Sequence, residues 1–266
     1  MTTPDHHDVW ASSTAYEAYM GRWSRQLARE FVSWLSVPPG VPWLDVGCGT
    51  GALAQAILEL ASPQEVVGID PSEGYIEHAG NHITGTSARF QVADVQALPF
   101  AGAEFGAVAG SLMLNFVPDP AKAVSEMTRV AKPGGTVAAC VWDYAGEMQM
   151  IRRFWDAAIA LDDAARELDE GRRFPLCKPK PLQELFQSAG LRDVSVLPIE
   201  IRAHFQNFDD YWNPFLGGQG PAPSYAVRLT EDSRSALRER LAASLPSAPD
   251  GSIDLIARAW AIRGTV

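Results

Sequence analysis

Trp43-Leu44-Asp45-Val46-Gly47-Cys48-Gly49-Thr50-Gly51 reads as a short apolar strand that ends at a carboxylate, turns through three alternating glycines and enters a helix with Leu53, Ile57 and Leu60 on one side. Glycine at Gly47, Gly49 and Gly51 strips side chains from the turn, so a ligand can approach the backbone closely. The N–H groups and dipole at the start of the next helix favour the negative end of that ligand. Asp45, at the end of the strand, repels a pyrophosphate and attracts an ammonium group, so a zwitterion suits the site better than a dinucleotide. Ala52 nevertheless satisfies the looser form of the dinucleotide spacing, and this motif alone leaves a nicotinamide cofactor open.

Outward from this turn, apolar runs of strand length at 41–46, 65–69, 89–93, 105–109 and 136–142 alternate with helical patterns at 50–60, 72–81 and 120–131. Such alternation predicts βαβ units, hence an α/β, doubly wound, mostly parallel sheet with helices on both faces. Lys132-Pro133-Gly134-Gly135 reads as a turn before the fifth strand. Upstream, Tyr16, Met20, Trp23, Leu27, Phe31 and Trp34 recur at three- and four-residue steps as one helical stripe. Downstream, 148–161 and 181–189 read as helices, 191–205 as a long strand, 231–245 as a helix and 252–262 as a final strand.

Two further carboxylates end predicted strands on the same rim. Asp70, 19 residues beyond Gly51 and followed by Pro71-Ser72, is placed to accept hydrogen bonds from both hydroxyls of a ribose. Asp94 can accept from an adenine amino group while Val95 offers its backbone N–H to the ring.

In this order the motifs resemble those of the class I S-adenosylmethionine-dependent methyltransferases. The glycine turn is similar to their motif I, Asp70 to their ribose-binding acid and Asp94-Val95 to their adenine-binding pair. The stretch 105–117, Asp119-Pro120, Glu126 to Val130 and Pro133-Gly134-Gly135 is similar to the type-11 branch, which includes the ubiquinone and menaquinone C-methyltransferases. The resemblance covers about Trp34 to Trp142. It implies a seven-stranded sheet whose last strand is antiparallel, with S-adenosylmethionine bound across the carboxyl ends of the first four strands. Through it Gly47, Cys48, Gly49, Pro71, Ser111 and Leu112 join the expected cofactor-binding residues, with Ser111 and Leu112 along the methionine part. Tyr16, Tyr19 and Arg22 resemble the branch's helical lid, with Arg22 expected to pair the cofactor's carboxylate. The family often carries His at the position of Asn115. The resemblance divides the chain into a lid (1–36), a cofactor-binding core (37–143), a helical insertion (144–180) and a C-terminal part of the sheet (181–266) with a helical insertion at about 207–250.

Composition narrows the acceptor. The 266 residues carry 22 basic and 32 acidic side chains, a formal charge of −10, with no Lys/Arg stripe for phosphates, which disfavours a nucleic acid. No apolar run reaches the roughly 20 residues of a membrane span, and Met1 to Asp8 lacks the basic and apolar order of a secretory signal. A cytoplasmic enzyme acting on a small neutral or cationic acceptor is expected. Cys48, Cys140 and Cys177 are spaced as separate thiols, and no residue set suggests a catalytic metal. The other readings are a nicotinamide-dependent oxidoreductase, which lacks a Tyr-x-x-x-Lys donor pair at Tyr144, and a non-catalytic S-adenosylmethionine-binding module. His204, Tyr211, Asp143 and Tyr144 are eligible general bases, none of them singled out. The aromatics of 144–180 and 207–250, among them Trp155, Tyr211 and Trp212, are expected to enclose the acceptor.

Overall fold

A computed structural model describes residues 13–83, 85 and 87–266. The expectation for Met1 to Asp8, and the first dozen residues of the expected lid, lie outside the described residues.

Seven strands form one sheet in the order β3-β2-β1-β4-β5-β7-β6. They are β1 (Pro42–Val46), β2 (Glu65–Asp70), β3 (Ala88–Val92), β4 (Phe105–Ser111), β5 (Ala131–Trp142), β6 (Arg192–Phe205) and β7 (Ile253–Thr265). The first five pair in parallel, while β7 runs antiparallel between β5 and β6. This is the expected sheet with its antiparallel last strand.

Eleven α-helices are described. In chain order they are α1 (Ser13–Tyr16), α2 (Arg22–Leu35), α3 (Ala52–Leu60), α4 (Glu73–His82), α5 (Pro120–Val130), α6 (Gln149–Leu161), α7 (Glu170–Arg173), α8 (Pro179–Ser188), α9 (Phe208–Trp212), α10 (Pro221–Arg228) and α11 (Glu231–Ser244). Their boundaries follow local chemistry. The α4 helix starts where the Ser72 hydroxyl accepts from the Tyr75 N–H, and α5 where the Asp119 carboxylate accepts from the Lys122 N–H with Pro120 in the first turn. The α2 helix stops at Ser36, left-handed at φ 51°, just before Pro38-Pro39.

Every β1 residue is buried, as a strand covered on both faces must be. Helices α2 and α3 pack together on the sheet and α5 packs with α8. The buried apolar residues of the N-terminal helices, the sheet and the later helices form one continuous cluster. No helix among the described residues is long and apolar enough to cross a membrane.

Two local readings are corrected. The single stripe of the N-terminal helix is interrupted by a π-helical turn, Glu17–Gly21, whose wider winding buries Tyr19, Met20 and Gly21 together. Lys132-Pro133-Gly134-Gly135 is a bulge within β5: Ala131 already pairs with Phe105, and the ladder resumes at Ala107 and Thr136. Gly134, at φ 77°, donates its N–H to the Val266 carbonyl.

Candidate active site

The carboxyl ends of β1, β2 and β4 open onto a cavity of about 380 Å³, roofed by the N-terminal helical run and closed by residues of α6 and α7. A small pocket of about 30 Å³ continues from it beneath the glycine turn and shares Tyr16, Gly47, Gly49, Ser111 and Leu112 with it.

The three glycines serve different ends. At Gly49, φ 52°, an added Cβ would meet nothing within 4 Å, so this is the point where the backbone lies open to the cavity. At Gly51, φ 93°, an added Cβ would lie 2.3 Å from Ile83 Cδ1, so this glycine admits the end of α4. The expectation that all three bare the turn to a ligand therefore narrows to Gly49, with Gly47 lining both cavities.

Asp70 ties the turn to its neighbour. Its Oδ2 accepts the Gly49 N–H at 3.1 Å and its Oδ1 accepts the Ser72 N–H at 2.9 Å. Burial raises its pKa, and the two backbone donors oppose that rise. Each oxygen keeps a lone pair beyond the bond it already accepts. Asp94 caps the turn Val95–Ala97 by accepting the Gln96 N–H at 2.8 Å, while Gln96 Oε1 accepts the Asp119 N–H at 3.1 Å and ties this rim to α5.

Pro71, Val95, Ser111, Leu112, Tyr16 and Tyr19 also line the cavity. Leu112 sits at φ 61°, a left-handed conformation that is unusual for a bulky residue and costs about 1–3 kcal/mol. The surrounding structure holds it there, its N–H donating to the Cys140 carbonyl at 2.8 Å. The Tyr19 hydroxyl is buried without a hydrogen-bond partner, so the cavity it lines is the natural place for one.

Three expected residues stand elsewhere. Asp45 and Cys48 line only the small pocket beneath the turn. Asp45 is fully buried and both its oxygens lack a hydrogen-bond partner. Burial pushes its carboxyl up to about 8 and the charge of Asp70 adds to the rise, while the nearby Ala54 N–H, outside hydrogen-bonding geometry, opposes it. The Cys48 thiol is likewise pushed up by burial. Arg22 reaches neither cavity: its guanidinium pairs with Asp210 at 3.1 Å and lies 4.3 Å from the centre of the Trp23 ring. The Asp210 carboxylate, brought close by α9, is the partner of Arg22 in the structure.

The aromatic expectation is corrected as well. Trp155, Tyr211 and Trp212 do not line the cavity. Phe154 stacks on Phe215, Tyr211 packs against Phe215 at a tilt, and the Tyr211 hydroxyl donates to the Met150 carbonyl at 2.9 Å, so these rings form a core for the later helices. Among the eligible bases, Tyr144 lines the cavity, its hydroxyl pushed well up by burial. Asp143 accepts the Glu147 N–H at 3.0 Å. His204 bonds the Asp254 carboxylate on the exposed face of β6. Asn115 is not part of the cavity lining.

Sequence reasoning missed Met20, Tyr75, Met113, Phe116, Trp142, Ile151 and Glu170, all of which line the cavity. Tyr75 lies on the inward face of α4, so helical periodicity after Ser72 could have found it. Glu170 carried no such signal, because its position depends on how α7 folds back over the sheet. No Lys, Arg or His among the described residues lines either cavity.

Over residues 44–139 the chain matches the family described as Methyltransferase domain. A ubiquinone/menaquinone biosynthesis C-methyltransferase of Desulfotalea psychrophila is 31% identical over 179 residues, covering 62% of this chain and 72% of that protein. An uncharacterized protein of Mycobacterium tuberculosis is 29% identical over 141 residues, covering 53% of this chain and 51% of that protein. The chain thus spans about half the length of such curated relatives. Among solved structures, Haemonchus contortus phosphoethanolamine N-methyltransferase 2 in complex with S-adenosyl-L-methionine superposes with a TM-score of 0.60 at 16% identity, covering 96% of this chain and 57% of that one. At that identity the likeness concerns the fold.

Proposed function

The chain belongs to the class I S-adenosylmethionine-dependent methyltransferases of the type-11 branch, and from that premise we propose that it transfers a methyl group from S-adenosylmethionine to a small neutral or cationic acceptor. The observation that carries this reading is the pairing of Gly49 with Asp70. The backbone at Gly49 is open to the cavity, while the carboxylate that accepts its N–H faces the same space.

The residues suit the cofactor in charge as well as in shape. Asp70 is placed to accept from ribose hydroxyls, and Asp94 with Val95 to address the adenine edge. Asp45, buried below the turn with neither oxygen hydrogen-bonded, favours the ammonium of a methionine moiety. Tyr16 and Tyr19 roof the methionine end. When bound, S-adenosylmethionine supplies an electrophilic methyl group on a sulfonium. The chain's own part is to align the acceptor, since positioning accounts for much of the rate in such a displacement. Burial of the surrounding aromatic wall excludes water from the acceptor end. Under the same reading, 1–36 acts as lid, 37–143 as the cofactor-binding core, and the segments 144–180 and 181–266 complete the acceptor side and the sheet.

Calorimetry with S-adenosylhomocysteine and with NAD tests the reading. The homocysteine form binds and NAD does not, and Asp70→Ala weakens binding by about 1–3 kcal/mol, the range for removing a partner from buried polar groups. Tight NAD binding, or unchanged affinity in Asp70→Ala, refutes it.

A further inference from the structure

We propose that Glu17 latches the N-terminal helical roof to the glycine turn through Thr50, and that release of this latch sets the rate at which S-adenosylmethionine and its product exchange. The assignment rests on the methyltransferase reading and adds a gate to that site.

Thr50, 8% exposed between Gly49 and Gly51, donates its hydroxyl to Glu17 Oε1 at 2.6 Å. Arg25 Nη1 donates to Glu17 Oε2, so both carboxylate oxygens are held. Glu17 opens the π-helical turn that carries Tyr19 and Met20. Those two residues and Tyr16 line the cavity together with Gly47, Gly49 and Asp70 of the sheet rim. A ligand lying on the glycine turn is therefore covered by the segment that Glu17 ties down.

Gly21 shows that the turn is shaped around this carboxylate. Its φ of −54° is right-handed helix, open to any residue, so the backbone does not require glycine there. Glycine inside a helix carries an entropic cost that alanine avoids. An added Cβ at Gly21 would collide with Oε2 and Cδ of Glu17, so the missing side chain is what lets the carboxylate fold back along the helix to Thr50 and Arg25. Beyond Gly21 lies α2, which packs on α3 and β6 and is the fixed body. The π-helical winding between Tyr16 and α2 is where the roof bends, since helices kink at such turns. Opening there breaks the Thr50–Glu17 bond and lifts Tyr19 off Phe215, whose ring centre lies 5.4 Å away. The latch closes whether or not a ligand lies beneath it, so losing it raises the open fraction of the free and the liganded protein by the same factor. Association and dissociation then accelerate together while the dissociation constant holds.

Stopped-flow fluorescence of the full chain with S-adenosylhomocysteine measures both rates, with Trp142 in the cavity wall as reporter. Two variants break the latch in different ways: Thr50→Val removes the hydroxyl, and Gly21→Ala displaces the carboxylate while leaving both partners in the chain. In each, the association and dissociation rate constants rise about tenfold or more, the scale of a hydrogen bond to a charged group. The dissociation constant stays within about twofold of wild type. Thr50→Ser keeps the hydroxyl and the wild-type rates. A contact that served only the fold would lower the melting temperature without moving the rates, and Gly21→Ala covers the case of a poorly folded Thr50→Val. Unchanged rates in either folded variant overturn the latch. So does faster dissociation with unchanged association, which would make Thr50 a contact of the cofactor. In both cases S-adenosylhomocysteine binding by the wild type leaves the methyltransferase reading standing, whereas failure of the wild type to bind it overturns both.

Discussion

Replacing Asp45 with asparagine isolates the consequence of burying a carboxylate under the glycine turn. The group has an ordinary value of 3.8 in the open chain and is pushed up to about 8 in the fold, chiefly by burial. Between those two values the folded protein keeps a proton that the unfolded chain has released. Stability therefore falls as pH rises, by about 1.4 kcal/mol per pH unit, and levels off above pH 8. From pH 5 to pH 7 the wild type loses about 3 kcal/mol through this one residue. The amide of the variant does not titrate, so the stability of Asp45→Asn relative to wild type rises by that amount over the same interval, whatever constant offset the substitution introduces. Urea unfolding of both proteins at pH 5 and pH 7, with the slope in denaturant shared, measures the difference of differences. A gap that stays constant between the two pH values would refute the claim that Asp45 is held neutral by burial. S-adenosylhomocysteine adds a second reading: its ammonium favours the charged carboxylate, so at pH 7 it protects the wild type more than Asp45→Asn.

Two other substitutions check the site from different sides. Arg22→Ala should leave S-adenosylhomocysteine affinity within about twofold and lower stability by about 0.2–1 kcal/mol, since Arg22 pairs with Asp210 at a half-exposed position rather than with ligand; a loss of affinity beyond tenfold in calorimetry would restore the cofactor-pairing role. Gly49→Ala should cost about 1–2 kcal/mol in unfolding experiments because of its left-handed φ of 52° and should also abolish S-adenosylhomocysteine binding, as the methyl group points into the open cavity; retained binding would place the ligand elsewhere.

The spacing of Gly47, Gly49 and Gly51 after an apolar strand, with Asp70 and Asp94 at the ends of the next two strands, was enough to place the sheet and its rim. Each of these signals is local: a turn needs glycine at positive φ, a buried strand needs an unbroken apolar run, and strand ends on one rim share a position in the repeat. The β5 bulge escaped the same reasoning because Pro133-Gly134-Gly135 has identical turn chemistry whether the chain reverses or pairs on.

Arg22 and Glu170 show where local reading stops. The periodicity of 16–34 places Arg22 on a helix beside the cofactor rim, yet it cannot say that α9, almost two hundred residues later, brings Asp210 to its guanidinium. The aromatics at Trp155, Tyr211 and Trp212 look alike in sequence whether they line a cavity or fill a core, and only the packing of α6 against α11 and β7, and of α9 against β6, assigns them to the core. Glu170, in a four-residue helix with no motif around it, faces the cavity because the insertion after β5 folds back over the sheet. The cofactor half of the site is written in contiguous motifs since it is built from strand ends and the turns that follow them. The acceptor half is assembled from side chains distant in sequence, and long-range packing, which no short spacing encodes, determines which of them meet.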